Sequence, residues 1–118
     1  RAIAFFDKPS EQTNEEIFLK GSVAYAGTVS GEIKLWDDKG DFTNKIAVLK
    51  TALPYQFSQL SVARGIITDE GGFLGHASII AREYKVPTII GTGSATLKLK
   101  DEDVVEINGQ DGTIKKLN

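Results

Sequence analysis

The sequence predicts a single α/β domain in which barrel-like or sandwiched sheets carry a few helices. The chain has 118 residues, the usual length of one domain, and 41% of them are apolar, which is enough for a hydrophobic core. Short runs of β-branched and aromatic residues alternate with polar, glycine-containing turns, as is typical of strands. A strand, a helix and a strand follow one another in the middle of the chain, which indicates a βαβ-like unit.

Two strands are predicted in the first third of the chain, over residues 16–24 and 28–36, because both segments mix β-branched and aromatic residues with partial alternation. The bend at 25–27 between them suggests an antiparallel pair. A polar turn at 37–41 ends the second strand. Residues 1–15 are weakly patterned, and we expect them to be an adapter segment.

The βαβ-like unit is predicted over residues 46–68. Residues 46–50 indicate a short buried strand, and residues 65–68 indicate another. Between them, residues 54–63 are predicted to form a helix that opens on Pro54, because proline is favoured at the first helical position.

The last third of the chain predicts a helix over residues 76–84, a strand over 88–90 and a hairpin. The hairpin strands are expected at 104–108 and 113–117, because a glycine-containing loop separates them. The segment Gly91–Thr92–Gly93–Ser94 lacks a third glycine and precedes no clear helix, so it predicts a turn and not a dinucleotide site.

The helix over residues 76–84 is predicted to be amphipathic. At about 100° per residue, one face contains the residues expected to pack on the core, namely Ala77, Ile80, Ala81 and Tyr84. The opposite face contains Ser78, Arg82 and Lys85. His76 lies on the border between the two faces.

Composition excludes several classes of function. Fourteen basic and sixteen acidic residues give a net charge of −2 without a basic block, which argues against nucleic acid or an anionic membrane as the main partner. The chain has no cysteine and one histidine, so neither a thiolate zinc site nor a histidine-rich metal site is expected. The apolar runs are too short to span a bilayer. These features suggest a cytoplasmic protein.

His76, the single histidine, is the candidate catalytic residue. In the first turn of a helix it lies beside unpaired backbone N–H groups and the positive end of the helix dipole, which favour an anion beside the ring. An accessible neutral imidazole is a nucleophile. Gly71, Gly72 and Gly75 leave the preceding backbone bare, so that a phosphoryl donor can approach closely. Position alone also allows a capping or surface role.

The order of residues around His76 resembles a known family. Residues 71–83, read with 86–88 and 91–93, are similar to its pattern Gly-Gly-x-Thr-Ser/Cys-His-Ala-Ala-Ile-x-Ala-Arg-Glu, then an apolar residue and Pro, then Gly-Thr-Gly. This is the phosphohistidine swivelling (mobile) domain of phosphoenolpyruvate-utilising enzymes, the phosphoenolpyruvate synthase and pyruvate phosphate dikinase family. The resemblance covers about residues 16–117 and includes further matching positions at Asp69, Thr51, Pro54, 27–31 and 111–112.

The resemblance implies a swivelling β/β/α phosphohistidine domain and a phosphoryl carrier. His76 would accept a phosphoryl group and pass it on between a nucleotide-binding partner and a phosphoenolpyruvate- or pyruvate-binding partner. It implies a phosphoryl-site loop formed by Gly71, Gly72, Leu74 and Gly75. Thr51 and Arg82 would be supporting residues. Arg82 lies across the helix from the core face, so we expect it to form a structural ion pair more readily than a phosphate contact.

The resemblance also implies that this domain binds no cofactor or metal itself. Phosphoenolpyruvate, ATP and Mg²⁺ would be held by partner domains. The chain has no room for those domains as well, so we expect part of a phosphotransferase and not a complete enzyme. A sequence without methionine that begins at Arg1 suggests a processed product, an excised domain or an incomplete chain.

Two departures from the family pattern leave an alternative open. Leu74 replaces threonine and Gly75 replaces serine or cysteine, and the threonine hydroxyl would hydrogen-bond the imidazole or its phosphoryl group. Loss of such a bond to a charged group costs about 1.5–3 kcal/mol. The alternative is a non-catalytic binding or regulatory module with the same fold. A small hydrolase that uses His76 as a base is less favoured, because no nucleophile lies next to it in sequence.

Overall fold

The structure, a computed structural model, describes residues 17–118, and the predicted adapter at 1–15 lies outside them. The described part is an α/β domain with one barrel-like sheet and short helices, as the sequence predicts. Its strands are β1 (Leu19–Lys20), β2 (Ser22–Tyr25), β3 (Val29–Leu35), β4 (Ile46–Leu49), β5 (Gly65–Thr68), β6 (Thr88–Ile90), β7 (Val104–Asn108) and β8 (Thr113–Lys116). A 3₁₀ turn (Pro54–Gln56) leads into α1 (Phe57–Leu60), and two further helices are α2 (His76–Tyr84) and α3 (Ala95–Lys98).

The eight described strands form a nearly closed barrel. Their order is β1-β8-β7-β3-β4-β5-β6-β2, so β1 and β2 lie at opposite ends although only Gly21 separates them along the chain. The pairs β3–β4, β4–β5 and β5–β6 are parallel, and the remaining pairs are antiparallel. The strands from β3 to β6 are therefore parallel to one another, and the rest of the barrel is antiparallel.

Glycines allow the backbones to meet at the closure of the barrel. The Gly21 N–H donates to the Gly112 carbonyl at 2.9 Å. A Cβ added at Gly112 would lie 2.2 Å from the Gly21 carbonyl oxygen, and the φ of Gly112 is +78°. Both the contact and the backbone angle therefore require glycine at position 112.

The antiparallel pair predicted from residues 16–36 is wrong in its pairing. The first predicted strand is divided at Gly21, and its second part, β2, pairs with β6 and not with β3. The second predicted strand, β3, pairs with β7 and β4. Local alternation shows that both segments are extended, but barrel closure brings distant strands between them.

The βαβ-like unit is confirmed. β4 and β5 are parallel neighbours, with Ile46 opposite Gly65. The helix between them does open on Pro54, yet it is shorter than predicted and ends at Leu60. Its first turn is a 3₁₀ turn, closed by the Gln56 N–H donating to the Leu53 carbonyl at 2.9 Å, and the Leu53 N–H donates in return to the Gln56 side chain at 2.7 Å.

Two hydrophobic clusters lie on the two faces of the parallel strands. The barrel cluster fills the interior and consists of Leu19, Ile33, Ile46, Val48, Ile67, Ile89, Ala95, Leu99, Val105, Ile107 and Ile114. The helix-side cluster lies under α1 and α2 and consists of Phe42, Ala47, Leu49, Ala52, Leu60, Ala63, Ile66, Ala77, Ile80, Val86 and Ile90. Successive strand residues such as Ile66 and Ile67 belong to different clusters because side chains alternate along a strand.

Helix α2 has the predicted bounds but not the predicted faces. Ala77, Ile80 and Ala81 are buried as expected. Tyr84, predicted to pack on the core, is 49% exposed, because α2 ends there and Lys85 turns the chain with a φ of 59°. Ser78, assigned to the opposite face, is fully buried.

Helix α3 follows the predicted turn at 91–94 and was not predicted. It is one turn long, from Ala95 to Lys98, and Ala95 and Leu99 enter the barrel cluster. The predicted hairpin is confirmed as β7 and β8. No helix within residues 17–118 is long and apolar enough to cross a membrane.

Candidate functional site

His76 is the first residue of α2 and its side chain is exposed. Gly75 precedes it as the N-cap residue in an extended conformation, with no side chain to cap the helix. The imidazole meets the Phe57 ring edge-on, with 6.2 Å between the ring centroids and 65° between the planes. The ring therefore has apolar support from α1 while it remains open to solvent.

The glycine loop, residues 70–75, carries the chain from β5 to His76. The Gly75 N–H donates to the Gly72 carbonyl at 3.0 Å and closes a turn. Gly71 has a φ of +133°, a conformation that favours glycine, and a Cβ there would lie 3.4 Å from the Cβ of Ile90. A Cβ at Gly72 would meet nothing within 4 Å. The loop is thus tightly turned but open on its outer side.

Side chains on both sides of the glycine loop hold its carbonyl oxygens. Thr68 of β5 donates to the Glu70 carbonyl. Ser78 Oγ donates to the Gly72 carbonyl at 2.8 Å, and Arg82 Nη1 donates to the Phe73 carbonyl at 3.2 Å. The ion pair expected for Arg82 is not found within residues 17–118, since its guanidinium faces this carbonyl instead.

The loop that follows β4 lies beside the glycine loop. The Asp69 N–H donates to the Leu49 carbonyl at 3.2 Å, and the Glu70 N–H donates to the Lys50 carbonyl at 2.9 Å. Thr51, the predicted supporting residue, comes directly after this contact and is exposed. It therefore belongs to the same edge of the sheet as His76, where the carboxyl ends of the parallel strands meet.

The loop that follows β6 is also tied to this edge. The Thr92 N–H donates to the Thr68 carbonyl at 3.1 Å, and the Gly93 N–H donates to the Asp69 carbonyl at 2.9 Å. The Asp69 carboxylate accepts the backbone N–H of Thr96 at 2.9 Å and the Thr96 hydroxyl, and so caps α3. The loops that follow β4, β5 and β6 are thus joined by hydrogen bonds at one edge of the sheet.

Leu74 projects from the tip of the glycine loop. Its side chain is 90% exposed, and that of the neighbouring Phe73 is 58% exposed. The Leu74 side chain therefore does not pack in the core. Two exposed apolar side chains therefore lie next to the exposed His76, and neighbouring exposed apolar side chains are a common feature of protein contact surfaces.

The structure thus brings most of the predicted site residues together. Gly71, Gly72, Leu74 and Gly75 lie on the loop that ends at His76. Arg82 supports that loop from behind, and Thr51 lies on the neighbouring loop. The described residues contain no group of three or more His, Cys, Asp or Glu side chains that could hold a metal ion.

Sequence reasoning missed the supporting role of Ser78 and the capping role of Asp69. A hydroxyl in the first turn of a helix, directly after a glycine-rich loop, is the signal that points to Ser78, because serine readily bonds nearby backbone groups. Nothing in the sequence indicates the contact between Asp69 and Thr96, which are 27 positions apart.

Comparison with known proteins shows a family match and several related sequences. Residues 42–112 match the family described as PEP-utilising enzyme, mobile domain. An uncharacterized phosphotransferase, YvkC, of Bacillus subtilis is 37% identical over 88% of this chain and 13% of its own length. The phosphoenolpyruvate synthase of Aeropyrum pernix is 35% identical over 91% of the chain and 14% of its own length. The chain spans less than a fifth of the length of these relatives.

Solved structures show the same fold. The structure of Enzyme I (nEIt) aligns with a TM-score of 0.55 at 25% identity, over 63% of this chain and 31% of that one. Aconitase X of Thermococcus kodakaraensis aligns with a TM-score of 0.69 at 19% identity, over 85% of this chain and 98% of that one, which shows a likeness of fold alone. Because the family match extends over more than half of the sequence, the chain belongs to the family of the PEP-utilising enzyme mobile domain.

Proposed function

We propose that this chain is a phosphoryl carrier in which His76 accepts a phosphoryl group from one partner and passes it to another. The observation that carries the proposal is the exposed imidazole at the first residue of α2, directly after the glycine loop. Membership of the PEP-utilising enzyme mobile domain family supports the same class of chemistry.

The chemistry needs only the imidazole and its surroundings. The unprotonated ring nitrogen of His76 attacks the phosphorus of the donor, a P–N bond forms, and the P–O bond to the donor breaks with its electron pair on oxygen. In the second step an acceptor oxygen attacks the phosphorus and the P–N bond breaks. Unpaired N–H groups in the first turn of α2 favour the negatively charged phosphoryl group between the two steps.

We place the remaining chemistry on partner domains or proteins. A nucleotide-binding partner and a phosphoenolpyruvate- or pyruvate-binding partner would supply the donor and the acceptor. ATP, phosphoenolpyruvate and Mg²⁺ would be held there. The much greater length of the relatives supports a division of the reaction among several domains.

A second candidate is a binding or regulatory module that keeps the fold without phosphoryl transfer. The specific observation in its favour is the chemistry of the glycine loop, where Leu74 and Gly75 offer no side-chain hydroxyl to a phosphoryl group. The exposed Leu74 would then serve contact with a partner and not catalysis.

Mass spectrometry separates the two candidates. The chain is incubated with phosphoenolpyruvate or ATP and with a phosphoenolpyruvate synthase relative whose own mobile domain has been removed. A carrier gains one acid-labile, base-stable phosphoryl group on His76, and His76→Ala abolishes it while stability changes by less than about 0.5 kcal/mol. Glu83→Gln, exposed on the same helix, is the control and should be phosphorylated normally. Absence of label on the parent chain with every donor would favour the non-catalytic module.

A further inference from the structure

Ser78 connects helix α2 to the beginning of the glycine loop. Its side chain is fully buried, and its hydroxyl donates to the Gly72 carbonyl at 2.8 Å. The same carbonyl accepts the Gly75 N–H at 3.0 Å. One oxygen therefore receives two hydrogen bonds, one from the helix and one from the residue that precedes His76.

This shared oxygen fixes the path of the chain into α2. Gly71, Gly72 and Gly75 would otherwise give the loop wide conformational freedom, because glycine tolerates many backbone angles. Any movement of Gly72 is transmitted to Gly75 through their hydrogen bond, and from there to the neighbouring His76. The orientation of the imidazole thus depends on a hydroxyl that does not touch it.

Ser78 and Arg82 also hold oxygen atoms that would repel an anion. The Gly72 and Phe73 carbonyls accept hydrogen bonds from these two side chains of α2. A carbonyl engaged by a donor is not free to turn towards a phosphoryl group at the helix N-terminus. The two contacts therefore help to keep that region suited to negative charge.

Position 75 leaves the Gly72 carbonyl to be held from the helix. A Cβ added at Gly75 would lie 3.3 Å from the Gly72 carbonyl oxygen, a tight contact with the atom that Ser78 already holds. The turn therefore has little room for a side chain at position 75, and the buried hydroxyl of Ser78 holds this oxygen from the other side.

We propose that Ser78 is a positioning residue for His76, which acts by holding the Gly72 carbonyl of the glycine loop. The inference rests on the proposed carrier function where it concerns phosphorylation. Its structural part, the restraint of the Gly72–Gly75 turn, is testable independently.

The kinetic test uses potassium phosphoramidate, a small phosphoryl donor that needs no partner domain. The His76 nitrogen attacks phosphorus, a P–N bond forms, and the bond to the leaving ammonia breaks. Ser78→Ala should slow phosphorylation of His76 about five-fold, the effect of one neutral hydrogen bond. Ser61→Ala is the matched control, because the Ser61 hydroxyl donates to the Ser58 carbonyl of α1 at 2.9 Å.

The structural test is amide hydrogen exchange of Gly75, whose N–H bonds the Gly72 carbonyl. Ser78→Ala should accelerate this exchange while leaving the amides of β7 unchanged. Unaltered Gly75 exchange, or an equal loss of rate in Ser61→Ala, would overturn the inference. If Ser78→Ala accelerated Gly75 exchange but phosphoramidate labelled neither the variant nor the parent chain, the restraint would be confirmed. Only the proposed carrier function would then be contradicted.

Discussion

The barrel cluster and the helix-side cluster share three strands but hold different parts of the molecule in place. β4, β5 and β6 are buried on both faces, whereas β7 alternates between buried and half-buried residues. The barrel cluster receives side chains from both the parallel and the antiparallel half. The helix-side cluster receives Ala77 and Ile80 of α2 and side chains of the parallel strands, and Ala24 of β2 packs against it.

Closure of the barrel and placement of His76 therefore depend on different clusters. Closure depends on the barrel cluster, because strands from all around the sheet meet there. The position of α2, and with it that of His76, depends on the helix-side cluster. Because the parallel strands are buried on both faces, the same strands contribute to closure of the barrel and to the position of α2.

The largest expected effects come from one matched pair of core substitutions. Ile107 of the barrel cluster and Ile80 of the helix-side cluster are both fully buried. Replacing either with alanine should lower the free energy of unfolding by about 2–5 kcal/mol, measured by urea denaturation, because each leaves a cavity.

Amide exchange should then distinguish the two variants. Ile80→Ala should accelerate exchange throughout α2 and slow phosphorylation of His76, while Ile107→Ala should accelerate exchange in β7 and β8. If both variants accelerated exchange of the same amides to the same degree, the two clusters would form one cooperative unit. The proposed division between barrel closure and the position of α2 would then be wrong.

A smaller effect is expected for Leu74→Thr at the tip of the glycine loop. The side chain is 90% exposed, so stability should change by less than about 0.5 kcal/mol. If the missing hydroxyl limits the carrier, phosphorylation should be about ten-fold faster or the phosphorylated form longer-lived, which corresponds to about 1.4 kcal/mol of one charge-assisted hydrogen bond.

The choice of donor sharpens this measurement. A gain with both phosphoramidate and a partner enzyme would support loss of the hydroxyl as the meaning of Leu74. Slower phosphorylation by the partner alone would show that Leu74 contacts that partner. If Leu74→Thr and the parent chain were phosphorylated at equal rates by each donor, position 74 would have no role in phosphorylation.

The smallest effect concerns two aspartates in similar turns outside the site. Asp111 accepts hydrogen bonds from the Thr113 hydroxyl at 2.6 Å and N–H at 3.0 Å, which lower the pKa of its carboxyl below the usual 3.8. Asp41 accepts the equivalent bonds from Thr43, with the same direction of pKa change. Thr113 is buried and Thr43 is exposed.

The stabilisation from Asp111 is present above the unfolded-state pKa and is lost as pH falls through the lower folded-state pKa. Asp111→Ala should therefore destabilise the chain at neutral pH, and the difference from the parent should shrink in acid below the usual value of 3.8. Asp41→Ala should show the same trend with a smaller amplitude. Urea unfolding at several pH values provides the measurement, and a difference that grew in acid would contradict the assignment.

Local pattern was sufficient to predict much of this structure. The bounds of α2 follow from its apolar spacing and from the glycines before His76, and β5 follows from the compact apolar run at 65–68. The location of His76 at a helix start could be predicted because helix boundaries depend on neighbouring residues.

Long-range contacts account for what the sequence did not predict. The division of the first strand at Gly21 depends on contact with Gly112, far along the chain. Ser78 appears polar-facing on a helical wheel, which treats α2 as isolated, but the glycine loop folds back and covers it. Helix α3 is too short to form by propensity and depends on its cap from Asp69.

The antiparallel pairing of β1 with β8 also determines how the fold would respond to mechanical load. Leu19 lies opposite Ile114, and the Phe18 N–H donates to the Ile114 carbonyl at 2.8 Å, so Ile17 and Leu117 leave the barrel at the same edge. Tension applied through these two positions would peel the strands apart one hydrogen bond at a time. A parallel arrangement would load all the bonds together in shear. This edge would therefore open at low force, before any force reached the parallel strands.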